Sequence, residues 1–206
     1  MFSPDRINNA ADISTKLNLT NEYLTSPTTS LGGSSYLLTL GDAPLGATYS
    51  AASMSSVPII GTALDDILTS EGSGDDSLIG LDGHDTLRSL GGVDFLFGSA
   101  GDDLLDAGDF ADWLYGDAGN DTLITGTWVD PKNVPEIQGF DARFDSLVIY
   151  YKAGDGGALE VSIDDNEAIR LQTIKFNGVS VATVDYGEGS RVALASIQLV
   201  ASNDFV

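Results

Sequence analysis

Residues 61–126 read GTALDDILTS EGSGDDSLIG LDGHDTLRSL GGVDFLFGSA GDDLLDAGDF ADWLYGDAGN DTLITG. Aspartate recurs at Asp66, Asp76, Asp85, Asp94, Asp103, Asp112 and Asp121, with one interval of ten and five of nine. A leucine follows each of them by two residues: Leu68, Leu78, Leu87, Leu96, Leu105, Leu114 and Leu123. Glycine precedes most of them by two, at Gly74, Gly83, Gly92, Gly101 and Gly119, with Leu64 and Phe110 as the exceptions. An acidic, Gly-rich linker would not hold a leucine in register through seven units, so the period is structural.

Each unit divides into a turn half and a strand half. The turn half is Gly-rich because tight turns demand positive φ, and the strand half is centred on the leucine. If successive strands alternate between two faces of a flattened right-handed coil, two units make one coil. The leucines then stack inward between two parallel sheets, at the strand spacing of about 4.8 Å. The pattern predicts an all-β fold, a right-handed parallel β-roll (β-solenoid) over 61–126. The expected flanks are an N-terminal cap or assembly segment over 1–60 and a small antiparallel β-sheet capping region over 127–206.

These units resemble the repeats-in-toxin (RTX) family, whose nonapeptide GGxGxDxUx, with U apolar, is a calcium-binding β-roll unit. The first-position glycine survives at Gly61, Gly80, Gly98 and Gly116, the second only at Gly72 and Gly108. The resemblance implies a secreted bacterial protein, extracellular or at the cell surface, that uses type I secretion machinery.

Calcium also follows from the stacking. Two carboxylates about 5 Å apart repel by roughly 1 kcal/mol in water and several-fold more in a protein environment. A column of such pairs closes only if a cation sits between turns, and Ca²⁺ takes 6–8 oxygens from carboxylates and carbonyls. The candidate metal residues are the seven repeat aspartates, with Gly72, Gly74, Gly83, Gly92, Gly101 and Gly119 freeing turn carbonyls. One edge carries Asp66, Asp85, Asp103 and Asp121; the other carries Asp76, Asp94 and Asp112. Three gaps on the first and two on the second predict about five Ca²⁺ ions, with the turns at Leu64 and Phe110 the weakest.

Composition agrees. The chain of 206 residues has 9 basic against 31 acidic residues and a formal charge of −22. Residues 61–126 hold 15 of those acids, 13 of the 24 glycines and a single cation, Arg88. Such a surface repels phosphate backbones and anionic headgroups, so neither nucleic acid nor membrane insertion is expected. Cysteine is absent, which excludes disulfides, thiolate zinc sites and cysteine nucleophiles. The single histidine, His84, excludes HExxH chemistry. GxSxG, P-loop and dinucleotide patterns are likewise missing, which points away from an enzyme. His84 is readable either as a turn residue or as a transition-metal ligand or base. Phe95, Phe97, Trp113 and Tyr115 form either a sugar-binding platform or a face covered by a neighbouring segment.

The flanks carry weaker signals. Asn8 to Leu24 suits a short amphipathic helix and Ser35 to Leu40 a strand. The N-terminal segment would cap the first turn or be donated to another copy, giving a homo-oligomer or filament. Strands are expected at Ser146–Tyr151, Leu159–Ile163, Ile169–Asn177, Val179–Tyr186 and Arg191–Val200. Asn177-Gly178 signals a hairpin between two of them. The opening Met1-Phe2-Ser3-Pro4-Asp5-Arg6 lacks the form of a secretory leader, and Asp204-Phe205-Val206 is similar to the C-terminal signal of type I export.

Overall fold

The computed structural model describes residues 28–32, 38–39, 48–53, 58–153, 161–166, 170–186 and 191–202. Up to residue 152, consecutive strands cross between two sheets. The first sheet takes β1 (Thr28–Gly32), β3 (Thr48–Ser53), β5 (Ile67–Gly72), β7 (Thr86–Ser89), β9 (Leu104–Asp106), β11 (Thr122–Gly126), β13 (Ser146–Lys152) and β17 (Ile197–Ser202), in that order. The second runs from β2 (Leu38–Thr39) through β4 (Pro58–Ile60), β6 (Ser77–Asp82), β8 (Phe95–Ala100), β10 (Trp113–Ala118) and β12 (Glu136–Gln138). It then continues to β16 (Val179–Asp185), β15 (Leu171–Phe176) and β14 (Val161–Asn166). Every pairing is parallel except those of β14 with β15 and of β15 with β16.

The register is the one the leucines dictate. Leu68 pairs with Leu87, Leu87 with Leu105 and Leu105 with Leu123 in one sheet; Leu78, Leu96 and Leu114 pair in the other. All seven are buried and form one core with Ile59, Ile137, Leu147 and Ile149. Side chains alternate across each strand, so the residue two after each leucine also points inward. That second slot holds small residues in six units, Ser70, Gly80, Ser89, Gly98, Ala107 and Gly116, and Thr125 in the last. The insertion at Ser70 is absorbed where β5 runs six residues, and the pairing beyond it is undisturbed.

Outside the repeats, parallel pairing continues on both sides. β1 and β3 pair in parallel onto β5, and β2 and β4 onto β6, so the coil extends below residue 61. The expected strand at Ser35–Leu40 is present as Leu38–Thr39; the expected helix at Asn8–Leu24 lies outside the described residues. On the other side, β12, β13 and β17 prolong the two parallel sheets. The antiparallel part is confined to β14–β16, and it joins the coil through the parallel pair of β16 with β12. The expected small antiparallel sheet is present as these three strands, while the strands expected at Ser146–Tyr151 and Arg191–Val200 join the parallel coil. The Asn177-Gly178 hairpin is present, with φ of 50° and 79° matching a type I′ turn. The strand expected from Arg191 starts only at Ile197, after a 3₁₀ turn at Leu194–Ser196. Buried Gln172 fixes that approach: its Oε1 accepts the Val192 N–H at 2.7 Å.

Candidate metal-binding edges

Between strands the chain turns at two edges, and the repeat aspartates line them. On the first edge the Asp66 N–H donates to Asp85 Oδ1 at 2.7 Å, Asp85 to Asp103 at 2.8 Å and Asp103 to Asp121 at 2.9 Å. On the second, Asp76 donates to Asp94 Oδ1 at 2.6 Å and Asp94 to Asp112 at 2.8 Å. Asp85, Asp94, Asp103, Asp112 and Asp121 thus each use one oxygen to tie their turn to the preceding one on the same edge. All seven aspartates are buried, none more than 2% exposed.

The second oxygen is where the chemistry lies. Oδ2 of Asp85, Asp103 and Asp121 is buried and has no hydrogen-bond donor. A buried acceptor left so is strongly disfavoured, more so when charged. Burial accordingly pushes the Asp85 and Asp94 carboxyls up to about 7, and Asp112 and Asp121 up to about 6. Burial raises Asp103 as well. The closed coil therefore opposes ionisation of its own edge carboxylates, and a bound cation would reverse that.

The described residues fit a hard cation. Among them no three His, Asp or Glu side chains converge, so an ion would draw most ligands from backbone carbonyls, as Ca²⁺ does readily. When bound, Ca²⁺ would supply positive charge and take 6–8 oxygen ligands. The glycines let turns approach one another. A Cβ on Gly101, whose φ is +142°, would lie 1.6 Å from the Gly83 carbonyl oxygen. The first-position glycines act differently: a Cβ on Gly80 would stand 2.1 Å from Asp85 Oδ2. Their place in the candidate site comes from the carboxylate, which spacing alone does not reveal.

Asp145 continues the first column, its Oδ1 accepting the Asp121 N–H at 3.1 Å. Its Oδ2 accepts the Asp141 N–H at 2.7 Å. Asp145-Ser146-Leu147 repeats the Asp-x-Leu signature, but a gap of 24 residues from Asp121 hides it from a nine-residue search. The opposite end is closed by Thr62, whose N–H and hydroxyl donate to Asp66 Oδ2 at 2.6 and 2.9 Å. His84 belongs to an outer ladder on the same edge. Its N–H donates to Asp65 Oδ1 and its Nδ1 accepts the Asp102 N–H, both at 2.8 Å. Asn120 donates to Asp102 Oδ1 from backbone and side chain. These contacts give His84 a turn-to-turn structural role.

Three non-glycine residues on this edge hold left-handed backbone: Leu81 at φ 86°, Ser99 at 82° and Asp117 at 67°. They occupy the second position of the repeat, where glycine is lost. Leu81 is 40% exposed, so little burial offsets the strain. Leu81→Gly is expected to stabilise the calcium-loaded chain by about 0.5–1 kcal/mol, the left-handed penalty less the added chain entropy. A urea midpoint at saturating calcium measures this; an unchanged or lower midpoint would contradict it.

Fold and edge together define a parallel β-coil with stacked turn carboxylates. The chain carries RTX calcium-binding nonapeptide repeats: the model of that repeat, in four copies, matches residues 72–105 and 97–127. None of the curated proteins compared matches the chain. Among solved structures it is similar to the AlgE6R2 subunit of the Azotobacter vinelandii mannuronan C5-epimerase in solution. Identity is 22%, coverage is 70% of this chain and 93% of that one, and the TM-score is 0.35. Among the described residues no helix is long and apolar enough to cross a membrane.

Proposed function

We propose that this chain is a secreted bacterial protein that folds on Ca²⁺ outside the cell and serves there as a non-catalytic, self-assembling structural component. One observation carries the calcium part: buried carboxylate oxygens at Asp85, Asp103 and Asp121 that no protein group satisfies. Where calcium is scarce, repulsion among 15 acids in 66 residues keeps the repeats open and competent for export through a type I secretion machinery. Millimolar calcium closes the coil, because ligands brought together only by folding make binding energy into folding energy. Self-assembly into a surface layer, matrix or filament is supported by the ends of the coil. β1 and β17 each have one strand partner among the described residues, and such edges are templates for a further strand.

A second reading, a monomeric accessory or ligand-binding module, is favoured by one surface. Phe95 and Trp113 stack at 6.0 Å, and Phe97 and Tyr115 at 4.7 Å, on the outer face of neighbouring strands β8 and β10. A row of aromatic rings on one outer sheet face suits the apolar face of a sugar. Light scattering with size-exclusion chromatography, on chain prepared in chelator and brought to millimolar calcium, separates the readings. Compaction followed by growth is the expected result. Compaction to a stable 21.5 kDa species would favour the module, and no response to calcium would overturn both.

A further inference from the structure

The outer face of the second sheet holds a trench that runs along β6. Register places Pro58 beside Ser77 and Ser77 beside Phe95 in one row, with Ile60, Ile79 and Phe97 in the next. Phe97 stacks on Tyr115 at 4.7 Å, close to the strand spacing, so these rings stand upright with their faces turned along the coil axis. Phe95 lies 6.5 Å from Phe97 and within 7° of its plane. The two rings of β8 thus form one flat wall that looks across β6 toward β4. Trp113 stacks behind Phe95 at 6.0 Å and holds the wall in place.

The trench is open where its floor is smallest. Ile79 fills the space before Phe97, but Ser77 is too short to cover the face of Phe95, which is 38% exposed. Pro58 stands on the far side, two strand spacings or about 10 Å from Phe95. Contact with both walls takes up about 7–8 Å. The gap therefore admits a single puckered ring, standing on edge over the Ser77 hydroxyl.

These surfaces select the occupant. A sugar ring has C–H faces for the two walls and a hydroxyl rim for Ser77. A hydrocarbon or aromatic group would cover the Ser77 hydroxyl without offering it a partner. Charge selects further, because exposed Asp75 and Asp82 flank the trench at the two ends of β6. Arg88, the single cation of residues 61–126, lies on the other sheet and pairs with Asp106 at 3.2 Å. A carboxylate or sulfate on the ligand would be repelled by those acids. A second copy of the chain would need about 800 Å² of surface, which a trench one strand wide does not offer.

We propose that the trench over β6 binds a sugar ring of an uncharged glycan, gripped between Pro58 and Phe95 above Ser77. The proposal rests on the ligand-binding reading above and gives it a place and a ligand class. It also requires a closed coil, since only closure brings β4, β6 and β8 side by side.

Isothermal calorimetry tests it on the full chain closed in millimolar calcium, against uncharged gluco-, manno- and xylo-hexamers and a uronate hexamer. At least one uncharged hexamer is expected to bind, and to bind more tightly than the uronate. Ser77→Leu fills the gap from the outer face and Phe95→Ala removes a wall; each is expected to weaken binding about tenfold or more. Phe144→Ala, at an exposed ring before β13 of the other sheet, is expected to leave it unchanged. Circular dichroism reports closure of each variant, and Phe95→Ala decides if Ser77→Leu fails to close. A closed chain that binds none of the uncharged hexamers, or prefers the uronate, would overturn the proposal and leave calcium-driven closure in place. So would affinity that survives the loss of the Phe95 ring. A chain that never closes would overturn it together with the calcium reading.

Discussion

Gly101→Ala is expected to destabilise the calcium-loaded chain by about 4 kcal/mol or more, in the range reserved for severe core damage. The added methyl would sit 1.6 Å from the Gly83 carbonyl oxygen and 2.6 Å from its carbon, both rigid backbone atoms. It cannot rotate away, so the two coils must part where the Asp85 N–H reaches Asp103 Oδ1. Opening that gap breaks the column in its middle. The positive φ adds a second penalty, about 1–2 kcal/mol for any residue with a Cβ. Gly139→Ala isolates that smaller effect, since Gly139 has φ +70° and nothing within 4 Å of its Cβ position. Gly139→Ala should lose only about 1 kcal/mol. Urea unfolding at saturating calcium compares the two directly. Equal midpoints would mean that strain in φ, and not close approach of the coils, makes position 101 glycine.

The same contacts explain what could be read from sequence. Asp and Leu positions are both periodic and both fully buried, so each unit states its own register, and the two-sheet coil follows. Below residue 61 the coil continues without that signature: Thr48–Ser53 reads TYSAAS, with no aspartate two residues ahead of a leucine. Parallel pairing there is carried by backbone, which leaves no mark on the pattern. At the other end, β12 and β13 belong to the coil, but the loops that lead to them, 127–135 and 139–145, are longer than the turns between neighbouring repeat strands, and the nine-residue period is lost there. The hairpin at Asn177-Gly178 was legible because its turn requires two residues with positive φ. The alternation of glycine with serine or alanine in the slot two residues after the leucine was present in the sequence as well. Its meaning needs the fold, because only the stacked turns show Ser89 facing Asp112, 23 residues away.

That alternation has a consequence for deletions, and it runs against intuition. Removing residues 98–115 takes out one whole coil, with Asp103, Asp112 and the buried Leu105 and Leu114. The direct loss is about 1.5–3 kcal/mol of burial per leucine, offset in part by fewer residues to order. Gly116 then follows Phe97 as Gly98 did, and Gly119 comes to rest on Gly83 in place of Gly101. Like meets like on both edges, and nearest-neighbour contacts are what a solenoid's stability sums over. Removing only residues 98–106 deletes half as much yet turns every later unit by half a coil. Phe110, two residues before Asp112, then falls in the place of Gly101. Any Cβ in that place meets the Gly83 carbonyl at 1.6 Å. Ser89 also loses Asp112 as its hydroxyl's partner and faces the Asp121 turn instead. The longer deletion is expected to retain cooperative, calcium-dependent closure with a lowered melting temperature. The shorter one is expected to lose closure, or to melt well below the longer. Thermal melts by circular dichroism at saturating calcium rank them. A nine-residue deletion as stable as the eighteen-residue one would show that the two edges are interchangeable, and that the repeat is nine residues long in its chemistry as well as in its sequence.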